Sequence, residues 1–126
     1  MKIHESLRPY VEAAQAAGLT VRTPGARVWY QTAGHVFVTR EGQPGMAMIQ
    51  VSSFPAFEPP SIDVPVKPNP IFGSSVMQDY DGTPAGAVAL LEALVAQETV
   101  KPRFVGDYAP VRVDLRIPAD AEPVTY

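Results

Sequence analysis

The sequence predicts a single α+β domain in which an antiparallel sheet of four to six strands carries two helices, packed mainly on one face. Two stretches have helical periodicity, and several short stretches alternate apolar and polar residues between turn signals. The connections between these short stretches lack the dozen residues that a parallel crossover needs. At 126 residues the chain can bury a core without disulfides, and we assign residues 1–126 to one domain.

The first predicted helix begins close to the start of the sequence. Ser6 is the expected N-cap, and Pro9 falls within the first turn, where its missing N–H costs nothing. Gly18 followed by Leu19 is typical of a left-handed helix end with its hydrophobic contact. Apolar residues recur on one face of the predicted helix, namely Leu7, Val11 and Ala14.

Short strands are predicted next, over residues 19–23, 27–31, 35–40 and 46–51. Glycine and proline separate them, so the simplest arrangement is a four-stranded meander. In the third strand Val36 and Val38 point to one side, whereas Phe37 and Thr39 point to the other. One face of the sheet can therefore pack on a helix, and the other can meet solvent or a partner.

Six prolines within residues 55–70 interrupt this pattern. Each one removes a backbone donor and fixes φ, so residues 54–70 are predicted as a proline-rich loop or an edge strand rather than a central strand. The alternation of Ile62, Val64 and Val66 is compatible with an edge strand or a polyproline II segment on the sheet.

The second helix has the clearest signals of any element. Thr83 is the expected N-cap and Pro84 the first helical residue, and a broad apolar face follows up to residue 98. The alternating stretch 111–117 predicts a half-buried strand, and residues 118–126 are predicted as an irregular tail.

Composition excludes several classes of function. Without cysteine there is no disulfide framework or thiolate, which is compatible with a reducing compartment. No signal-like run follows Lys2 and no stretch of about 18 apolar residues occurs, so we expect a cytoplasmic protein without a membrane partner. The net charge is −3 and the basic residues are scattered, which argues against nucleic acid as a partner.

No catalytic or metal motif is recognisable, and we expect no cofactor. The only imidazoles, His4 and His35, have no serine in a strained elbow to activate. Asp79 and Asp81 stand before a glycine as in the opening of a calcium loop, but the closing glutamate is missing. These aspartates are better explained as capping groups at the positive end of the second helix. An enzyme is the least favoured class.

Aromatic residues and one loop are the candidate binding groups. Trp29, Phe54 and Phe57 are candidate contacts for a partner protein, although aromatic residues of this kind more often pack in the core or within a loop. The stretch "KPNPIFGSSV" places a cation, an amide and two hydroxyls on a proline-stiffened chain, and it could hold a nucleotide or another anion. Its candidate ligand-binding residues are Lys67, Asn69, Gly73, Ser74 and Ser75. The competing interpretation is a connector with an asparagine-proline turn between two strands.

This stretch also resembles a lysine-proline-asparagine, spacer, glycine-serine signature of small accessory proteins of tailed bacteriophages. The resemblance implies an N-terminal helix, a meander of strands, no assigned chemistry and a place in the host cytoplasm. Our preferred hypothesis is a non-enzymatic accessory protein that binds a host protein through the open sheet face and the proline-rich loop. The alternative is a protein that binds a small nucleotide or phosphate at residues 67–76. Self-association through strand 111–117 stays open.

Overall fold

The computed structural model of the chain describes residues 2–25, 32–51, 59–66, 74–97, 100–101, 111–112 and 121–126. Within these ranges two helices and nine strands follow one another along the chain: β1 (Lys2–Ile3), α1 (Arg8–Ala16), β2 (Thr20–Arg22), β3 (Thr32–Ala33), β4 (His35–Thr39), β5 (Ala47–Gln50), β6 (Ser61–Val66), β7 (Ser74–Gln78), α2 (Pro84–Val95), β8 (Val100–Lys101) and β9 (Val111–Arg112). The predicted α+β fold class is confirmed.

The main sheet has five strands in the order β2-β4-β5-β6-β7, and every neighbouring pair is antiparallel. Its strand number lies inside the predicted range. Two small sheets accompany it, parallel β1-β3 and antiparallel β8-β9. The predicted strand over residues 27–31 lies outside the described residues, and of the predicted strand 111–117 only β9 lies inside them.

The first helix starts differently from the prediction. A 3-10 turn over Glu5–Leu7 precedes α1, and His4, not Ser6, caps this turn. The Ser6 N–H donates to His4 Nδ1 at 3.2 Å, and Ser6 Oγ lies 2.7 Å from the same nitrogen. An imidazole nitrogen is an unusual cap, and the Ser-x-x-Pro spacing pointed to the commoner hydroxyl. The end of α1 follows the prediction, since Gly18 has φ 84° and Leu19 is buried.

The second helix begins as predicted. Thr83 Oγ1 accepts a hydrogen bond from the Gly86 N–H at 3.0 Å, and Pro84 is the first helical residue. Asp81 extends the cap, because its Oδ1 accepts from the Thr83 N–H at 2.9 Å and from Thr83 Oγ1 at 2.7 Å. The backbone hydrogen bond from Thr83, and then the hydroxyl, lower the pKa of Asp81. This aspartate therefore has the capping role that the sequence predicts.

One hydrophobic core contains residues of both helices and of the strands. Its fully buried members include Leu7 of the 3-10 turn, Val11 and Ala14 of α1, Ala87, Leu91 and Val95 of α2, and Val36, Val38, Ala47, Ile49 and Ile62 of the sheet. Arg40, directly after β4, connects the two helices at the rim of this core. Its guanidinium donates to the Ala17 carbonyl at 2.9 Å and lies 3.5 Å from Glu92 Oε2. Because the first bond satisfies a carbonyl at the end of α1, the position of this helix is coupled to that of α2.

The proline-containing strand β6 is not an edge strand over its whole length. Residues Ser61–Asp63 pair with β5 on one side, and the strand pairs with β7 on the other. Val64–Val66 continue past the last residues that pair with β5, so among the described strands they pair with β7 alone. Pro65 falls in this one-sided part, where its missing N–H costs least. The predicted edge strand is therefore wrong for the first half of β6, which has a strand on both sides.

No helix in the part of the chain that the structure describes is long and apolar enough to cross a membrane.

Candidate partner-binding face

The side chains of the main sheet alternate between the core and a second face, which we call the outer face. In β4 the residues Val36 and Val38 are fully buried, whereas His35, Phe37 and Thr39 are half-buried. In β5 the same alternation leaves Met48 and Gln50 half-buried. The outer face is defined by the described side chains that share this orientation: Thr20, Arg22, His35, Phe37, Thr39, Met48, Gln50, Ser61 and Asp63.

Strand register places the apolar members of the outer face side by side. Phe37 lies opposite Met48 on one neighbouring strand and opposite Arg22 on the other. His35 packs edge-on against Phe37, with the ring centroids 5.5 Å apart and the planes at 87°. Contacts between residues that face each other on neighbouring strands stabilise a sheet, and so do edge-to-face contacts between aromatic rings. An aromatic pair, a thioether and a guanidinium thus form one continuous, partly exposed surface.

A shallow depression adjoins this surface where β4 begins and β5 ends. Its volume is about 300 Å³, and it is lined by Thr32, Gly34, His35, Gln50 and Val51. The Val51 N–H donates to the Gly34 carbonyl at 2.8 Å, which fixes the floor of the depression. Its lining combines a hydroxyl, an amide and an imidazole with an aliphatic side chain, and it is open on one side. Its shape is that of an open recess and not of an enclosed ligand cavity.

Asp63 is the exception on the outer face, because only 2% of the residue is exposed. It lies opposite Met48 in the register, and its Oδ2 is 3.4 Å from Ser61 Oγ. The same hydroxyl is 3.4 Å from the Gln50 carbonyl, so Ser61 links the two strands through long hydrogen bonds. Sequence reasoning missed the burial of Asp63, since alternation with Ile62 and Val64 predicts a solvent position.

The predicted binding residues fall mostly outside the described residues. Six of them lie in segments that the structure does not describe: Trp29, Phe54, Phe57, Lys67, Asn69 and Gly73. Ser74 and Ser75 are the first residues of β7, where their backbones pair with Val66 and Pro65. The stretch 67–73 therefore connects two paired strands, as the connector interpretation requires. Whether it also binds a ligand stays a prediction.

The candidate catalytic and metal groups have structural roles where they are described. His4 and Ser6 contact each other within an exposed turn that the imidazole caps. Asp81 caps α2. Among the residues that the structure describes, no group of three or more histidine, cysteine or acidic side chains could hold a metal ion. The second imidazole, that of His35, belongs to the outer face.

The imidazole of His35 gives this face a predicted pH dependence. Burial lowers the pKa of His35, so the unfolded chain, with a pKa near 6.5, takes up the proton first as the pH falls. The contribution of neutral His35 to folding is complete above about pH 6.5 and is lost as the pH falls through the lower folded pKa. We expect His35→Gln to remove this part of the pH dependence of the free energy of unfolding. Urea titrations of both proteins between pH 7.5 and 5 test it, and parallel curves would contradict the assignment.

No protein-family model, curated protein or solved structure matches the chain.

Proposed function

We propose that the chain is a non-enzymatic binding protein that contacts a partner protein through its outer face and the proline-rich segment 54–70. The observation that carries this proposal is the incomplete burial of Phe37, Met48 and His35, which stand together on one side of the sheet. Their counterparts on the other side, Val36, Val38 and Ile49, are fully buried. Among the described residues, the sheet thus carries a second group of apolar side chains outside the hydrophobic core.

The composition of this surface is that of a protein interface. Aromatic residues, methionine and arginine are enriched where proteins bind one another, and Phe37, Met48 and Arg22 are neighbours on three adjacent strands. A sheet presents such groups at fixed spacings, so little side-chain freedom is lost on binding. The depression beside His35 would receive a side chain of the partner and set the register of the complex.

A paired substitution tests the proposal by pull-down from a lysate of the bacterial host. Phe37→Asp places a charge in the centre of the outer face, and Ala89→Asp places the same charge on an exposed residue of α2. We expect wild-type protein and the Ala89 variant to retain the same specific partner, and the Phe37 variant to lose it at least tenfold. Circular dichroism of all three proteins controls for folding. Equal capture by both variants, or no specific capture at any salt concentration, would overturn the proposal.

A phage accessory role is the setting we propose for this activity. The resemblance of residues 67–76 to small proteins of tailed bacteriophages supports it, and the partner would then be a protein of the host cytoplasm.

The alternative proposal is a small anionic ligand bound by Lys67, Asn69 and Ser74. The observation in its favour is that Val66 and Ser74, the residues on either side of the stretch 67–73, are directly paired. Thermal shift with nucleotides and inorganic phosphate tests this alternative. A ligand at about 100 times its dissociation constant adds about 2.7 kcal/mol to the free energy of unfolding. A shift that Lys67→Ala leaves unchanged would place the ligand elsewhere.

A further inference from the structure

Residues 121–126, which we call the strap, lie between β1 and β2. The strap runs parallel to β1, with Lys2 opposite Thr125, and antiparallel to β2, with Arg22 opposite Pro123. It thereby joins the small β1-β3 sheet to the edge of the main sheet. These residues fall within the predicted irregular tail, and apart from the two isolated bridges they form no regular element. Their backbone is nevertheless hydrogen-bonded on both sides.

Both walls of the space that the strap fills supply backbone donors. From β1, the Ile3 N–H donates to the Thr125 carbonyl at 3.2 Å. From the β2 side, the Thr23 N–H donates to the Glu122 carbonyl at 2.9 Å, and Thr23 Oγ1 lies 3.3 Å from the same oxygen. Neighbouring strands lie about 4.8 Å apart, so without the strap the walls would enclose a slot on the order of 9–10 Å wide. That width fits one extended peptide.

Side chains of the strap give the slot its selectivity. Pro123 lies opposite Arg22. The hydrogen bond next to this pair runs from the Thr23 N–H to the Glu122 carbonyl and needs no donor from the strap, so the missing N–H of proline costs nothing there. Val124 packs against the hydrophobic core. The Tyr126 ring lies 4.8 Å from the Arg8 guanidinium carbon, and its hydroxyl donates to Gln15 Oε1 at 3.1 Å. The slot therefore suits an extended segment with the pattern proline, aliphatic, any residue, tyrosine.

We propose that this slot is a peptide-binding site, and that the strap of a second copy of the chain is its ligand in trans. An exchanged strap makes the same contacts as the chain's own strap, so the two arrangements differ mainly in how the strap is tethered. None of the strap residues is fully buried, and Tyr126 is 44% exposed. Release therefore costs little apolar burial. A tethered segment has an effective concentration on the order of millimolar, so exchange is expected to become appreciable near that protein concentration.

Cysteine trapping tests the proposal directly, because the natural chain contains no cysteine. Lys2→Cys is made in one preparation and Thr125→Cys in another that carries a size tag. Both positions are exposed, and they are opposite each other across the bridge, where Cα separations suit a disulfide. The two proteins are mixed at about 1 mM and oxidised in a glutathione buffer. Only an exchanged strap brings the two cysteines together, so we expect a mixed dimer on a non-reducing gel.

Collision is controlled by replacing the Lys2 variant with Glu41→Cys, an exposed position in the loop between β4 and β5. We expect the Lys2 pair to form the mixed dimer at least fivefold faster than the Glu41 pair. Excess synthetic peptide AEPVTY should suppress this dimer, whereas a scrambled peptide should not. Equal rates for the two pairs, or equal suppression by both peptides, would overturn the proposal. It does not depend on the proposed function of the outer face.

Discussion

Ile49→Ala is expected to lower the free energy of unfolding by about 3 kcal/mol, within the 2–5 kcal/mol typical of truncating a buried aliphatic side chain. Ile49 is fully buried, lies opposite Val36 and Ile62 on its two neighbouring strands, and belongs to the core that α2 shares. Neighbours fixed on two strands and a helix cannot collapse into the vacated space. The cost therefore includes a cavity as well as lost burial.

The measurement is a urea titration compared with that of Gln50→Ala. Gln50 is the next residue of the same strand but belongs to the outer face, so its truncation should cost less than about 1 kcal/mol. We expect a lower midpoint for the Ile49 variant with an unchanged slope, since the surface exposed on unfolding changes little. Similar midpoints for the two variants would contradict the assignment of the two faces.

The second large effect is expected for Gly45→Ala, at about 2–4 kcal/mol. Gly45 lies against the end of α2, where its N–H donates to the Val95 carbonyl at 2.8 Å. A Cβ at this position would stand 2.5 Å from the Gln97 carbonyl oxygen and 2.7 Å from that of Val95, and closer still to that of Leu94. Backbone atoms cannot rotate away as a side chain can, so either the loop or the helix end must move.

Gly34→Ala is the matched control, because a Cβ at Gly34 meets nothing within 4 Å and its φ is not positive. We expect this variant to stay within about 0.5–1 kcal/mol of wild type, with a small gain from reduced freedom of the unfolded chain. Thermal unfolding of both variants distinguishes the outcomes. If Gly45→Ala melted together with Gly34→Ala, the close contact between the loop and α2 would be wrong.

The sequence predicted those features of the fold that depend on local signals. Thr83, Pro84 and Gly18 mark helix ends through their own backbone and side-chain preferences, and each has the predicted role. Alternation placed Val36 and Val38 on one side of the sheet and Phe37 on the other, and the structure buries the two valines in the core. These predictions succeed because each one needs only neighbouring residues.

The features that were missed depend on partners far along the chain. The proline content of residues 54–70 predicted a loop or an edge strand, and it could not reveal that β5 pairs with Ser61–Asp63. The burial of Asp63 and the placement of residues 121–126 between β1 and β2 follow from sheet order alone. For the candidate site, periodicity placed Phe37 on the side opposite Val36 and Val38, whereas its proximity to Met48 and Arg22 required the register.

The placement of the strap also has a consequence for the order of folding. The strands β4 and β5 are close in sequence, so they can pair as soon as both have been synthesised. Lys2 and Thr125, in contrast, are opposite each other yet separated by almost the whole chain. The entropy of closing so long a loop delays their contact until the intervening residues are already compact. During synthesis, β1 and the open side of β2 must therefore wait for residues 121–126, and their unpaired donors are accessible to other extended segments until then.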